Sequence, residues 1–558
     1  MALQKNEILS LELTGFSAQG GAVGRWEGEA VFVPLGAPGD MARVKIVKAA
    51  KTHAFGKLVE VLRPSPARVD PDCPCYAQCG GCCWRHVSYE EELRIKEQRV
   101  RDALERVGGF RGLAVRPILP WQSRDGYRNK ALLPLSQDSR GQLRMGFYAP
   151  NSHRVVDCQH CRLHPESFAR AMDAFREWAA VYGDSVYNEE THRGKMRRLY
   201  LRRGERTGEV MACVVVNGKG LTHEPQLVEA LRGAVPELRS LIINSNQERT
   251  NVALGPKNRT VWGEDAIRDE LCGLEFTISP LSFFQVNRGQ AERLYQLAAA
   301  YAKLEGRGLL LDLYCGTGTI GLSMAKSAGR VIGIETVPQA VEDARHNAQR
   351  NGITNAEFLC ADAASGAAEL ARRGQRPEVV VLDPPRKGCG RALVEAATAM
   401  EPERIVYISC DPATLARDLK DFAAWGYEPQ EAQPVDMFPG TGHVETVVML
   451  SHKKPDSVIN VKVEFGEGEG KVPLDNIAKR AAAYKPKERV TYKMIKEYIE
   501  AKYGFKVHTA YIAEVKRELG LPMYDAPNAV EELKQPRKHP TEEKVEAIKD
   551  ALKHFEVI

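Results

Sequence analysis

A cysteine stands directly after an apolar run in residues 405–417, which read IVYISCDPATLAR. The run from Ile405 to Ile408 predicts a buried strand, and Pro412 favours the first turn of a helix. A structural cysteine is expected inside such a strand, as a small hydrophobic side chain. Cys410 instead follows the strand's end. Because thiolates are good nucleophiles, this position predicts covalent chemistry.

A helix that begins after Pro412 would point its positive end at the thiol, which predicts a lowered pKa for Cys410. Methyl transfer to carbon 5 of uracil is a reaction that needs such a thiol. C5 is a poor nucleophile until a thiolate adds to C6, whereas transfer to oxygen or nitrogen needs no such help. A base must then remove the C5 proton. Glu445, which opens the apolar stretch ETVVMLS, is the candidate, although alone it could be a solvated residue at a strand end.

Carboxylates mark the ends of four apolar runs. Asp312 precedes the glycines of LLLDLYCGTGTIGL, and Glu335, Asp362 and Asp383 end or follow the next three runs. Alternation of these runs with helical segments predicts a doubly wound, largely parallel sheet that binds ligands at the carboxyl ends of its strands. Asp312 suits the cationic amino-acid end of S-adenosylmethionine, and Glu335 suits a ribose. The glycines alone also allow a nicotinamide dinucleotide, and each acid alone could be a helix cap.

Cysteines are clustered in two stretches before this region. Of 13 cysteines in the chain, the stretches DCPCYAQCGGCCWRH and VVDCQHCRLHP contain Cys73, Cys75, Cys79, Cys82, Cys83, Cys158 and Cys161. In a reducing compartment such clusters indicate a metal or catalysis more often than disulfides. Four thiolates suit either zinc or an iron–sulfur cluster, and their spacing does not separate the two.

The length of 558 residues predicts three to four domains around these groups. The expected parts are a small β-barrel at 1–63, an α+β central domain with the cysteines at 64–270, the Rossmann-like α/β domain at 271–452 and a basic helical extension at 453–558. A net charge of +5 permits a nucleic-acid partner. The charged start and the lack of a long apolar run predict a cytoplasmic protein with no membrane partner, and no obligatory protein partner is evident.

The extension contains a helical pattern. Its stretch TYKMIKEYIEAKYGFKVHTAYIAEVKRELGL predicts a helix, a turn around Gly504 and a second helix. This order is similar to a helix-turn-helix and suggests contact with nucleic acid. Because the pattern is common, a plain helical addition is the alternative.

Five stretches, SFFQVN, DLYCGTG, VLDPPRKG, ISCDPATLARDL and GHVETVVML, follow one another in an informative order. In order and spacing they closely resemble the RNA (uracil-5-)-methyltransferases, and the resemblance covers roughly residues 1–452. It implies that Cys410 is the nucleophile that adds to C6 and that Glu445 is the base. It also implies that Gln285, Tyr314, Glu335 and Asp383 contact S-adenosylmethionine. Asp362 is added to these cofactor residues because it too follows the end of a strand. The resemblance further implies that Asp383 faces the uracil.

The same resemblance bears on the barrel and the cysteines. The barrel resembles a TRAM domain, an RNA-binding module. The spacing of Cys73, Cys79 and Cys82 with the distant Cys161 matches the members that carry a [4Fe–4S] cluster. Cys75, Cys83 and Cys158 are extra and leave the choice of ligands open, and a structural zinc site is the alternative.

The substrate expectation follows from the domain set. Members with both the barrel and the cysteines commonly modify 23S rRNA, so one or two uridines of 23S rRNA are the expected target, with tRNA as the alternative. In GYRNKALLPL, Arg128 and Lys130 are expected to contact phosphate, and Asn129 to pair with a base.

Three other functions are compatible with parts of the sequence. A non-catalytic RNA-binding assembly factor would keep the barrel without the chemistry, and a nicotinamide oxidoreductase would use only the glycines. A cytosine methyltransferase would employ Cys389 as a second cysteine, but the surroundings of Cys410 and Glu445 both match the uracil enzymes.

Overall fold

The computed structural model describes residues 3–17, 20–249, 252–452, 492–519 and 539–555. The chain divides into two compact units, Met1–Lys454 and Pro455–Ile558. Within the described residues, no helix is long and apolar enough to cross a membrane.

The first unit begins with five strands, β1 (Ile8–Phe16), β2 (Ala22–Trp26), β3 (Glu29–Val33), β4 (Met41–Ala49) and β5 (His53–Arg63). They close into a barrel in the order β1-β2-β3-β5-β4. In β1 every second side chain is buried, so Leu9, Leu11 and Leu13 fill the interior while their neighbours face outward. The small barrel predicted from the sequence is therefore confirmed.

A helix, α1 (Tyr89–Asp102), follows the first cysteines. It begins at Ser88, whose side chain accepts a hydrogen bond from the Glu91 amide, and its first turn carries three glutamates. Five residues of π-helix, Ala103–Val107, extend it, and the short strand β6 (Ala114–Val115) comes next. Val100, Leu104 and Ile118 are buried in one apolar core with side chains from residues 309–450, so this segment packs against that later part of the first unit.

A seven-stranded sheet occupies the middle of the chain. Its strands are β7 (Lys130–Gln137), β8 (Leu143–Tyr148), β9 (Val155–Asp157), β10 (Met196–Arg203), β11 (Val210–Val216), β12 (Leu238–Ser245) and β13 (Lys257–Gly263). They are ordered β13-β12-β11-β10-β7-β8-β9. The helices α2 (Glu166–Tyr182) and α3 (Glu224–Ala234) bury Phe168, Phe175 and Leu231 in the core shared with this sheet. A hairpin of β14 (Ile267–Leu271) and β15 (Leu274–Ile278) follows.

The catalytic region is an eight-stranded sheet with helices on both faces. Its further strands are β16 (Leu309–Leu313), β17 (Arg330–Glu335), β18 (Ala356–Cys360), β19 (Val379–Leu382), β20 (Arg404–Ser409), β21 (Tyr427–Val435) and β22 (Glu445–His452). The order is β18-β17-β16-β19-β20-β22-β21-β6. The five strands from β16 to β20 pair with one another only in parallel, whereas β22 runs antiparallel to its neighbours β20 and β21. This is the predicted doubly wound, largely parallel sheet.

Helices connect these strands, and their caps determine where the chain turns. They are α4 (Arg288–Ala302), α5 (Thr319–Ser323), α6 (Pro338–Arg350), α7 (Ala363–Arg372), α8 (Arg391–Thr398) and α9 (Pro412–Ala424). Asp411 caps α9 by accepting from the Thr414 amide at 2.8 Å, and Pro412 occupies the first turn. Cys410 is therefore the single residue between the end of β20 and the cap of α9.

The second unit, taken by itself, contains α10 (Tyr492–Tyr503), α11 (Thr509–Glu518) and α12 (Glu542–His554). The chain turns between the first two at Gly504, where φ is +74°. All three helices contribute to one apolar core, represented by Ile499, Ile512 and Ile548. The rest of the predicted extension, 453–491, 520–538 and 556–558, lies outside the described residues.

Candidate active site

The antiparallel pairing of β20 with β22 brings the two predicted catalytic residues together. Ser409 pairs with Thr446, so one further step along each strand places Cys410 opposite Glu445. The Glu445 side chain is buried and Cys410 is partly exposed. Asp383 follows β19, the other neighbour of β20, and its charge acts on both groups. Thiol, carboxyl and a second carboxyl therefore share one edge of the sheet.

Burial shifts the proton affinities of these groups upward. It raises the pKa of Glu445 to about 8, and the neighbouring Asp383 adds to this shift. Burial also raises the pKa of Asp383 to about 7. The pKa of Cys410 rises to about 11, through burial first and then through Glu445 and Asp383. The lowered pKa predicted from the helix end is therefore wrong for the substrate-free protein, because desolvation and two carboxyls outweigh the helix.

We expect methyl transfer to increase with pH, by about tenfold per unit between pH 6 and 8. Thiolate attack needs Cys410 deprotonated, and its pKa of about 11 lies above this range. Proton removal by Glu445 follows methyl transfer, so kcat/KM depends on this single deprotonation. The measurement is kcat/KM against pH, with Asp383→Asn as the comparison. Removing that carboxyl should move the profile to lower pH, since Asp383 raises the pKa of Cys410. A flat profile in the wild type would contradict the expectation.

Arg386 is a site residue that the sequence analysis did not single out. Its guanidinium lowers the pKa of Cys410 and that of Glu445, so it lies close to both. It also donates to His443 Nε2 at 3.3 Å. The sequence signal was its place three residues after Asp383 in DPPRKG, where a cation can offset the acids at a strand end.

The glycine-rich turn after β16 is shaped to receive a ligand. Gly316 and Gly318 have positive φ, and a side chain at Gly316 would meet open space. Glu335 accepts a hydrogen bond from the Gly316 amide at 3.2 Å. Asp312 is wholly buried behind the turn, where one oxygen accepts from Gly321 and the other has no hydrogen-bond partner among the described residues. An open backbone turn flanked by two carboxyls fits S-adenosylmethionine, with its cationic end and its ribose.

Two of the remaining predicted cofactor residues, Tyr314 and Asp362, lie together. Tyr314 directly follows β16, and it lines a cavity of about 490 Å³ together with Asp362. Asp362 also caps α7 by accepting from the Ala364 and Ser365 amides. Gln285 is buried before α4, where its backbone carbonyl accepts from Asn129 Nδ2 at 2.9 Å. Asn129 Nδ2 is thus used by the protein backbone, whereas Asn129 Oδ1 has no hydrogen-bond partner among the described residues. Its pairing with a base stays a prediction.

Lys130 has the opposite surroundings. It lies at the start of β7, next to Arg202 on β10. Burial and the charges of Arg202 and Arg128 lower its pKa to about 8. A group of cations that repel one another favours an anion such as a phosphate between them.

The predicted cluster cysteines line a single cavity of about 280 Å³. Its wall includes Cys73, Cys79, Cys82 and Cys161, and also the extra thiols Cys75 and Cys158. Cys83 has a different environment, between Gly20 of the barrel and the 436–444 loop. Arg386 and His443 line the same cavity, so the cysteines adjoin the active site.

The two metal alternatives stay open at this cavity. Within the described ranges, no group of three or more His, Cys, Asp or Glu side chains could hold a metal ion. Four thiolates suit either zinc or an iron–sulfur cluster.

Comparisons with known proteins agree with this geometry. The family model described as tRNA (uracil-5-)-methyltransferase matches residues 221–453, and the TRAM domain model matches residues 3–59. An uncharacterized RNA methyltransferase of Halalkalibacterium halodurans is 40% identical over 455 residues, which cover 81% of this chain and 98% of that relative. One of Clostridium tetani is 40% identical over 450 residues, covering 81% and 97%.

A solved structure is similar over most of its length. It is the Pyrococcus abyssi tRNA (uracil-54, C5)-methyltransferase in complex with S-adenosyl-L-homocysteine. The TM-score is 0.65 at 28% sequence identity, and the match covers 79% of this chain and all of that one. The shared fold therefore extends beyond the catalytic sheet.

Proposed function

The chain belongs to the RNA (uracil-5-)-methyltransferase family and is an S-adenosylmethionine-dependent enzyme, and we propose that it methylates C5 of a uridine in 23S rRNA through a covalent adduct with Cys410. The observation that carries this proposal is the register of β20 and β22, which sets a thiol opposite a buried carboxyl. A nucleophile and a base on two neighbouring strands are what the two halves of the reaction require. Neither an RNA-binding factor nor a nicotinamide enzyme would need them.

The chain's own residues divide the reaction into two parts. Cys410 loses its proton and its sulfur bonds to C6, so that the electrons of the C5–C6 double bond become available at C5. S-adenosylmethionine, held at the glycine-rich turn, supplies an electrophilic methyl group. Glu445 then takes the C5 proton, the C5–C6 double bond reforms, and the C6–S bond breaks. Asp383, with its pKa raised to about 7, is suited to hydrogen-bond a polar atom of the uracil.

The exposed Phe283 suits a base taken out of its RNA stack. Its side chain is 61% exposed, two residues before Gln285. Enzymes that act on a base atom inside a structured nucleic acid extrude that base and stack it on apolar rings. Within SFFQVN, only Gln285 was predicted as a site residue, since the exposure of an aromatic side chain cannot be read from the motif.

The choice of 23S rRNA rests on the barrel and the cysteine cavity together, because family members with both commonly modify that RNA. The structural relative that acts on uracil-54 of tRNA makes tRNA the second candidate. The test is incubation of S-adenosylmethionine carrying a labelled methyl group with unmodified 23S rRNA or with tRNA. Labelled 5-methyluridine from 23S rRNA alone is expected, whereas label in tRNA would overturn the substrate proposal and keep the chemistry.

The cysteine cavity is proposed to hold a [4Fe–4S] cluster on Cys73, Cys79, Cys82 and Cys161. Its support is the cavity volume and the thiols around it. Methyl transfer needs no electron transfer, so the proposed role of the cluster is to brace the fold beside the active site.

Cys161→Ser is expected to remove most of the iron and the visible absorbance of the purified protein, because a hydroxyl is a poor ligand for iron in such clusters. Cys360→Ser is the control, since Cys360 is exposed at the end of β18 and should leave the iron content unchanged. Cys158→Ser tests whether the extra thiol is a ligand. Stoichiometric zinc in place of iron would support the structural zinc site.

The second unit is proposed to add non-specific RNA affinity. Truncation after His452 is expected to weaken RNA binding and to flatten the dependence of log K on log salt by about 0.7 for each single-strand phosphate that the helices would otherwise neutralise. Binding should be measured between about 50 and 200 mM salt, with kcat at saturating RNA as the control. An unchanged affinity and slope would mean that the helices serve another purpose.

A further inference from the structure

The loop of residues 436–444 joins β21 to β22 and ends directly at Glu445. It contains Gly440, with φ of +79°, and Gly442. Its internal hydrogen bonds include those from the Thr441 amide and hydroxyl to the Phe438 carbonyl. Glycines enlarge the number of conformations that a free loop can adopt, so contacts from outside must select one of them.

The helix α1 supplies those contacts through buried charges. Lys96 Nζ donates to Asp436 Oδ1 at 2.6 Å and to the Phe438 carbonyl at 3.1 Å. Glu92 Oε1 accepts from Lys96 Nζ at 2.7 Å and from the Gly440 amide at 2.7 Å. The three charged side chains are fully buried. We call Glu92, Lys96 and Asp436 the ion cluster.

Neutral groups of the same segment hold the rest of the loop. The Tyr127 hydroxyl donates to the Pro439 carbonyl at 3.0 Å. The Cys83 and Trp84 amides donate to the Gly440 carbonyl at 3.1 and 3.2 Å. The Arg99 guanidinium donates to the Gly442 carbonyl. Carbonyl groups along most of the loop are thus fixed by residues from 83–127.

We propose that Glu92, Lys96 and Asp436 are positioning residues, whose ion cluster holds the 436–444 loop so that Glu445 stays opposite Cys410. The proposal rests on the proposed function, in which Glu445 removes the C5 proton. Burying two carboxylates and an ammonium costs desolvation that an apolar core would avoid, so their retention is explained by the geometry that they impose. Arg124, 3.7 Å from Glu92 Oε2, offsets the second negative charge.

The ion cluster should matter for one step more than for the others. In the last step the C5–H bond breaks, the proton moves to Glu445, and Cys410 leaves as a thiolate. Sulfur addition and methyl transfer need Cys410 and the cofactor turn, which other strands carry. Loosening the loop should therefore let methylated RNA accumulate on the protein, a result that a general loss of folded enzyme does not give.

Asp436→Asn is the principal test because it removes the charge at nearly constant shape. In the wild type, the Tyr89 hydroxyl donates to Asp436 Oδ2 at 2.7 Å. In the variant, the amide oxygen can still accept from Lys96, and the amide nitrogen can donate to the Tyr89 hydroxyl. We expect turnover to fall by about tenfold or more, since small displacements of a catalytic group are costly. Labelled RNA should accumulate as a covalent adduct that stays on the protein during denaturing electrophoresis. The affinity for S-adenosylmethionine should stay the same.

Asp269→Asn is the matched control, because Asp269 is equally buried but accepts from the Arg206 amide at a distant hairpin. Glu92→Gln is the second cluster variant, in case Asp436→Asn lowers the melting temperature too far. The proposal would be overturned if the folded fraction of a cluster variant formed less adduct and less released product in equal proportion. A ratio of adduct to product equal to that of the wild type would overturn it as well. Glu445→Gln separates the two hypotheses: if it too accumulates no adduct, the role of Glu445 as the base in the proposed function is wrong.

Discussion

Cys410→Ala is expected to lower methyl transfer by on the order of 10⁴-fold or more, while RNA and S-adenosylmethionine still bind. Without the thiol there is no group to add to C6, and C5 stays too weak a nucleophile to take the methyl group. The side chain is small and partly exposed, so its loss should cost the fold little. The measurement is the rate of label transfer to RNA, together with both dissociation constants.

Two variants make this result specific. Cys410→Ser keeps the shape but offers a hydroxyl, and it should be nearly as inactive, since a hydroxyl is a far weaker nucleophile than a thiolate. Cys389→Ala tests the other cysteine, which is buried and whose backbone amide donates to Asp418. Methylation that survives Cys410→Ala but not Cys389→Ala would revive the cytosine methyltransferase alternative. Full activity of Cys410→Ala would remove the covalent mechanism.

The parallel part of the catalytic sheet was predictable from the sequence. The carboxyl ends of parallel strands lie at one edge, so Glu335, Asp383 and Cys410 could be placed together from the ends of three apolar runs. Composition and local pattern were enough for this because each run is short, apolar and bounded by turn residues. The barrel was predictable for the same reason, since its strands alternate with period two.

The partner of Cys410 was not predictable from local pattern. Glu445 faces the thiol only because β22 runs antiparallel between β20 and β21, and strand order is a property of the whole sheet. A strand placed at the edge would have left the same glutamate in solvent. Chemistry and its place before an apolar run made Glu445 a candidate base, and the resemblance to a family linked it to Cys410.

The burial of the charges on α1 was also not predictable from local pattern. YEEELRIKEQRVRD has glutamates and lysine at spacings typical of a solvated helix, yet Glu92 and Lys96 are fully buried. Their burial depends on Asp436, about 340 positions later in the chain, and no local pattern contains that information. Likewise, the raised pKa of Cys410 arises from burial and from two carboxyls on other strands.

Glu445→Gln is expected to lower turnover by about 10²- to 10⁴-fold and to trap the enzyme on its product-like RNA. Glutamine has nearly the same shape as glutamate but cannot take up the C5 proton. Cys410 would still add to C6 and the methyl group would still reach C5. The expected observation is therefore a labelled protein–RNA band after denaturation, stoichiometric with enzyme and absent in Cys410→Ala.

The wild-type enzyme provides an independent check through RNA that carries 5-fluorouridine at the target. Fluorine on C5 cannot leave as a cation to any base, so the wild type should stop at the point where Glu445→Gln stops. Its pKa of about 8 makes Glu445, once deprotonated, basic enough to take the proton, and its burial keeps water from replacing it there. If Glu445→Gln turns over like the wild type, the proton must leave to another group, and Asp383, whose charge acts on the same thiol, becomes the base to test.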